Sequence, residues 1–486
     1  MDNSNDKPQL KLLSDSEVGT LHEASLEILN QTGVKIDNEY LQEILAGEGA
    51  EVDGEADRVR LPASLVESAM ERAPAEFDLY ERGEDQKEMK VGGTSLHAHT
   101  TGGPSYIRDL ESGERRDAKL QDVIQGALIV NSLDNIHAYC PVVSPTDVIS
   151  GTEEIEMVNA GLRNTEKVVE NPVSSGKEVD YFYELFAAVS GSEAKLKEKP
   201  SFTVSVSPIS PLTFDKQSAE ALRKSAEKDL PTKVLPAPIT GATAPVTFAG
   251  ALAQQNAELL AGLTILQTVN PGLRTVMGPR LSIMDMRSSF VSWGTQELGR
   301  ASACAVQLLA EYDLPSDVYG LSSDAKIMDQ QQGYEKSLNG ILPALAGADF
   351  LSGAGGLESL KSCSLAQLVI DNEVLGMIID TVNGFEIDEE TIALDVIDSV
   401  GPGGDFLREK HTARFSRGGE QYEATFSNRD TWEYWVAKGE KDIREVAREK
   451  AKSILTNSNQ PEMNPATMRT LDEIMEDARS YFKEQN

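Results

Sequence analysis

The sequence predicts a parallel (β/α)8 TIM barrel, an α/β fold, with an N-terminal helical cap and a small C-terminal module. Three observations carry this. Eight short β-rich runs recur between residues 95 and 353, most of them followed by a helical pattern. Alternation of strand and helix signals is the mark of a parallel sheet. The runs end in Gly, Pro and small polar residues, as expected at the functional end of a barrel. No G-x-G-x-x-G follows the first run, which disfavours the alternative, an open doubly wound sheet.

The elements follow in order. Residues 1–12 are expected to lack fixed structure. A helix is predicted over 15–32, with Ser14 as N-cap, Leu21, Ala24, Ile28 and Leu29 on one face, and Gly33 as the stop. Residues 34–93 read as short strands and helices, with 62–74 as an amphipathic helix. Residues 1–93 therefore form an N-terminal tail and cap. The barrel is placed at 94–383. Its strand runs are 95–101, 136–143, 167–173, 202–209, 232–240, 274–280, 316–322 and 348–353. Helical patterns cover 117–133, 216–228, 245–269, 290–312, 329–346 and 364–383. Residues 102–116, with Glu-Ser-Gly between a short strand and a charged stretch, read as a β-hairpin insertion. Residues 384–486 form the C-terminal module, in which 432–439, WEYWVAKG, is expected to pack a helix by its aromatic residues.

Composition narrows the function. The 486 residues include 45 Lys and Arg against 79 Asp and Glu, a net charge of −34. A polyanion is not drawn to nucleic acid or to an anionic membrane. A solvated acidic surface and life in high salt both explain the charge. No apolar run reaches the roughly 18 residues of a membrane span, and the first residues lack a signal-peptide pattern. A cytoplasmic location is expected. Cys140, Cys304 and Cys363 are far apart, and the five histidines include only one close pair, His97 and His99. No protein-bound metal is expected. Zinc sites commonly use Cys-rich ligand sets, and no paired-cysteine motif is present.

Residues 314–336, LPSDVYGLSSDAKIMDQQQGYEK, resemble the active-site segment of the trimethylamine methyltransferase family. Founding members of that family carry pyrrolysine just before a Thr-Asp-Ser/Ala-Lys-like run. Here the run is Ser323-Asp324-Ala325-Lys326, and the aligned position is Ser322. Similar segments are GGPSYIRDLESGERR from Gly102 with Asp122 after it, GATAPVTFAGALAQQNAELLAG from Gly241, DMRSSF from Asp285, IDNEVLG from Ile370 and GPGGDFL from Gly401. Each is weak alone; their order and spacing are specific.

The resemblance implies a barrel and a reaction. Members move a methyl group from an amine nitrogen to the cobalt of a corrinoid (cobalamin) carried by a separate corrinoid-binding protein. Members without pyrrolysine are similar to glycine betaine methyltransferases, and some use proline betaine, carnitine or γ-butyrobetaine. Glycine betaine giving dimethylglycine is the expected reaction, and a homo-oligomer is the expected assembly. A non-catalytic scaffold that binds a quaternary amine or docks the corrinoid protein is the second reading. An unrelated barrel lyase or isomerase is the third, and it requires an acid–base pair at the strand ends.

Candidate residues follow from these needs. Ser322 and Asp324 are the catalytic candidates, by the motif. A quaternary ammonium donates no hydrogen bond and is held by aromatic faces and carboxylates. Aromatics near strand ends are Tyr106, Tyr139, Phe248, Phe290, Trp293, Tyr319, Tyr334 and Phe350. Tyr106 and Tyr334 stand out, being next to family motifs. Gln332 is expected to hydrogen-bond into the mouth. His97, His99, Arg280 or Arg287 suits the carboxylate of a betaine, arginine bidentately. His97 and His99 share a strand face by the period of two. Taken one at a time, such residues are more often explained by core packing or by surface ion pairs.

Overall fold

The eight runs become eight parallel strands in chain order. A computed structural model describes residues 9–83, 86–93 and 95–485. The strands are β1 His97–Thr100, β2 Ala138–Tyr139, β3 Val168–Pro172, β4 Phe202–Val206, β5 Thr232–Val234, β6 Thr275–Met277, β7 Asp317–Tyr319 and β8 Phe350–Ala354. Each is followed by a helix: α1 Leu120–Asn131, α2 Glu153–Asn164, α3 Gly176–Ser190, α4 Lys216–Glu227, α5 Phe248–Val269, α6 Gln296–Ala310, α7 Gln330–Leu345 and α8 Leu365–Asn383. The sheet order is β6-β5-β4-β3-β2-β1-β8-β7. A parallel bridge between Met277 and Ser316 closes β6 onto β7. The barrel is complete, as the alternation predicts.

The N-terminal region acts at the bottom and side of the barrel. The helix Asp15–Glu27 starts in a capping box, Ser14 with Glu17, and continues as a π-turn over Ile28–Thr32 to Gly33. It packs on the outside of α5, with Ser25 Oγ donating to Ala253 O at 3.0 Å. That cover explains why α5 is buried on nearly every face and shows little periodicity. The antiparallel pair Phe77–Tyr80 and Glu88–Val91 plugs the N-terminal end of the barrel. Phe77, Leu79, Met89 and Val91 meet Ala138, Val168, Val276 and Phe350 there.

Three expectations are corrected. Residues 1–8 of the expected unstructured tail lie outside the described residues, but Leu10 N donates to Leu345 O and Leu12 N to Gln307 Oε1, so 9–12 are tied down. The helix expected over 290–312 begins at Gln296, because Phe290–Ser292 pairs antiparallel with Ser282–Asp285. Asp285 closes that turn by accepting from Arg287 N and Ser288 Oγ, both at 2.9 Å. The helix Trp432–Ala437 packs by Trp435 alone of its aromatics, which is half-buried and donates Nε1 to Lys441 O at 3.0 Å, whereas Trp432 is 69% exposed and Tyr434 63%. No residue from 379 to 446 is buried. The hairpin insertion appears as expected, Tyr106–Arg108 against Arg115–Asp117. The helices Ile443–Asn457 and Pro465–Gln485 return to the barrel, on α8 and α3 respectively. No helix among the described residues is long and apolar enough to cross a membrane.

Across the barrel interior lies a layer of charge. Inward residues of alternate strands supply such layers, four to a layer, and they are normally branched and apolar. Here β1, β3, β5 and β7 contribute His99, Glu170, Lys233 and Asp317, all buried. Lys233 Nζ bonds to Glu170 Oε2 and lies 2.7 Å from Asp317 Oδ2. His99 Nε2 is 2.9 Å from the same Asp317 oxygen. Burial works against the Lys233 ammonium, but Asp317 and Glu170 outweigh it and raise its pKa above the usual lysine value. Burial likewise opposes charge on Asp317, yet Arg280, Lys233 and His99 hold its carboxyl well below the usual range. Removing one member leaves buried charge uncompensated. Lys233→Met is therefore expected to cost about 3–5 kcal/mol of stability, read as a lower denaturation midpoint in guanidinium chloride.

Candidate active site

The C-terminal ends of the strands gather most of the candidates, at three depths. Deepest is the charged layer, to which His99 belongs. Arg280, just past β6, reaches down to it. Its Nη2 donates to Asp317 Oδ1 at 2.7 Å and its Nη1 to Asp317 O. The guanidinium also lies 4.4 Å from the centre of the Tyr319 ring. Arg280 is thus already committed to Asp317, which the sequence reading did not foresee.

Above this sits Ser322, three residues beyond β7 and fully buried. Its Oγ has no hydrogen-bond partner. Gly353 makes room for it: φ is +105°, and a Cβ there would stand 3.0 Å from Ser322 Oγ and from Leu321 C. Gln332, in the first turn of α7, is buried with Nε2 unpartnered, and Thr101 Oγ1 at the end of β1 is likewise unpaired. Buried polar atoms without partners cost stability and are uncommon. Several at one barrel mouth mark a place where a ligand completes the hydrogen bonding.

At the rim, two carboxylates knot the loops together. Asp324 accepts from Trp293 N at 2.9 Å, from Ser359 Oγ at 2.6 Å and from Ser292 Oγ. It therefore joins the loops after β6, β7 and β8. Glu335, on α7, accepts from Ser323 Oγ at 2.7 Å and Asp324 N at 2.8 Å. Gly294 is required in this knot, since a Cβ would lie 2.4 Å from Asp324 N and 2.6 Å from Glu335 Oε2. The knot holds Trp293 against Tyr319, ring centres 5.0 Å apart and 74° between planes. Both rings are half-buried at the mouth. Behind the loops, Lys336 Nζ and Asp371 Oδ2 form a fully buried pair at 2.7 Å, and Asp371 also accepts from Gly355 N.

Three candidates stand elsewhere. His97 opens β1 and so lies at the N-terminal end, where its Nε2 bonds to Lys90 O and its ring packs on His137 and Phe350. The period of two does place it on the face of His99, but one layer down. Tyr106 is in the hairpin insertion, and Arg115 covers its ring at 3.5 Å. Tyr334 is 64% exposed on α7. Neither ring lies beside Ser322, because proximity to a motif in sequence says little about which way a side chain faces.

Glu170, Lys233 and Asp317 complete the site, and the sequence reading missed all three. Their signal was present: charged residues inside otherwise apolar strand runs. His99, Glu170 and Asp317 offer ligand atoms close enough to hold a metal ion. The Lys233 ammonium, however, already bonds to both carboxylates and fills that role. Asp324→Ala removes three hydrogen bonds to one ionised group, each of which contributes about 1.5–3 kcal/mol. The expected result is faster hydrogen exchange at the Trp293 amide, with the exchange of the β4 amides unchanged.

A family model described as trimethylamine methyltransferase matches residues 2–481. The chain is 34% identical over 467 residues to trimethylamine methyltransferase MttB of Desulfitobacterium hafniense DCB-2, covering 96% of this chain and 94% of that one. It is 31% identical over 460 residues to a glycine betaine methyltransferase of D. hafniense Y51, covering 94% and 95%. Among solved structures, the monomethylamine methyltransferase of Methanosarcina barkeri is 16% identical, with a TM-score of 0.48 over 90% of this chain and 94% of that one. With the matched family extending over nearly its whole length, the chain belongs to the trimethylamine methyltransferase family.

Proposed function

We propose that the protein transfers a methyl group from a quaternary amine to the corrinoid of a partner protein. Glycine betaine, giving dimethylglycine, is the preferred substrate. The observation that carries this is Ser322. By the resemblance of residues 314–336 it takes the place of pyrrolysine in the family's founding members, and among the described residues no acid or base is bonded to its hydroxyl. A quaternary ammonium already bears the charge that makes a neutral tertiary amine the leaving group. No proton has to be delivered, so the site needs no activating residue there. The partner's corrinoid supplies the cobalt(I) nucleophile.

In this reading the chain's residues act by placement. Trp293 and Tyr319 offer aromatic surface to the cation, a contact worth about 0.5–2 kcal/mol each. Asp324 contributes a nearby negative charge while holding Trp293 in place. Ser322 and Gln332 supply polar atoms beside the substrate. Arg280, whose Nη1 and Nη2 both bond to Asp317, stands against the Tyr319 ring and acts by holding that ring in place. Positioning of this kind lowers a barrier by as much as roughly 7–11 kcal/mol. The setting of the reaction is the cytoplasm.

A substrate panel with excess free cob(I)alamin tests the reading. Turnover is expected with quaternary amines and not with trimethylamine or dimethylamine; a comparable rate with trimethylamine would overturn it. Trp293→Ala is expected to raise the KM for glycine betaine by about 1–2 kcal/mol, or roughly 5- to 30-fold. Tyr334→Ala should leave it near wild type. With no proton transfer in the chemical step, kcat should be flat with pH. A bell-shaped profile that Asp324→Asn flattens would instead make Asp324 a general acid or base.

A further inference from the structure

Around the barrel mouth the surface changes character. Ile209 after β4, Val246 after β5, Met286 and Phe290 after β6, and Ile327 after β7 are 50–69% exposed. These loops all lie at the C-terminal end. Part of the surface is rigidly built. Ile239–Thr240 pairs with Ser282–Asp285, which pairs in turn with Phe290–Ser292, giving a three-stranded sheet on the rim. Met286 and Val246 are neighbours, both within 4 Å of the Cβ position of Gly241. Lys361 Nζ stands 5.1 Å above the Phe290 ring. Large apolar side chains grouped around a mouth signal a partner surface.

Charge sharpens the choice of partner. The chain carries −34 overall. Yet Arg287, Lys326 and Lys361, all exposed beside these apolar residues, take part in none of the ion pairs among the described residues. Exposed cations outside any salt bridge, on an acidic protein, favour an acidic partner and speed its approach.

We propose that the rim hairpin Ser282–Ser292, with Val246 and Lys361 beside it, is the docking surface that selects the corrinoid-carrying partner. The partner face is apolar with a carboxylate edge. This rests on the proposed function, since a protein that brings cobalt to Ser322 must cover this rim. The tip of the hairpin takes the partner, and its base leads into Trp293, so docking and substrate contact share one rigid element without sharing residues.

The test separates docking from chemistry by changing the methyl acceptor. The double variant Met286→Ser/Phe290→Ser is assayed with glycine betaine, against free cob(I)alamin and against the cobalamin-loaded corrinoid protein from the same source as this chain. Transfer to free cob(I)alamin should stay within about twofold of wild type, while kcat/KM for the corrinoid protein should fall about tenfold or more. Arg287→Gln/Lys361→Gln should slow transfer to the corrinoid protein chiefly at low salt. Equal losses with both acceptors would place the hairpin in the substrate site, and no loss with either would leave it without a docking role; each overturns the proposal. Sedimentation binding of the same corrinoid protein stands apart from turnover. Binding by wild type that the double variant loses supports the docking surface even if no quaternary amine is a substrate, in which case the proposed function alone fails. Absence of wild-type binding overturns the docking surface.

Discussion

One lysine inside the barrel holds two carboxylates that enter from different strands. Lys233 joins Glu170 of β3 to Asp317 of β7, and His99 of β1 meets the same Asp317 oxygen. An apolar layer would be the simpler way to fill a barrel. Buried ion pairs often give less stability than apolar residues of similar volume, but breaking one is costly. Their geometry is also directional. Asp317 is fixed by Lys233 and His99 on one side, and so presents its other oxygen to Arg280. Arg280 in turn lies against Tyr319, the first aromatic of the mouth. The position of the upper site therefore follows from a charge contact lower in the barrel.

The rim is organised on the same principle, with charge gathering backbone and hydroxyl donors. Asp324 takes donors from the loops after β6 and β8, and Glu335 fixes the turn that carries Asp324. Loops are generally the mobile parts of a barrel. Here the strand-end loops are joined to one another, and a three-stranded rim sheet stiffens the one that bears Trp293. A site that works by placement has to be rigid, because small displacements of reacting groups are expensive. The glycines at 294 and 353 belong to this economy of space, since a methyl group at either would meet the knot or Ser322.

The reading of function depends on what surrounds Ser322 more than on the serine itself. A buried hydroxyl with no partner is a weak catalyst. With Gln332 and Thr101 also unpartnered and two half-buried aromatic rings at the same barrel mouth, it reads as part of a mould. Asp324 has its donors supplied by the protein, which suits a fixed counter-charge better than a proton carrier. Tyr106 and Tyr334 show the opposite case. Both are aromatic and near family motifs, but an arginine covers one and solvent surrounds the other.

The sequence by itself determined the barrel. Hydrophobic alternation and helical periodicity are local, so seven strands fell within the predicted runs and the eighth passes its run by one residue, at Ala354, and the helix start at Ser14 and the hairpin at 102–116 could be read from adjacent residues. It also located Ser322, Asp324 and Gln332 near one strand end, because they are close in the chain. The tertiary structure alone decided the rest. Closure of the sheet brought Lys233 to Glu170 and Asp317 across 63 and 84 positions. Strand direction sent His97 to the far end from Ser322. The rim hairpin at 282–292 escaped notice because its short strands run into a helix, and their pairing depends on a neighbour, Ile239–Thr240, about forty residues earlier. Contacts between distant positions leave no periodic trace; only the closed barrel, which fixes where each strand end points, makes them neighbours.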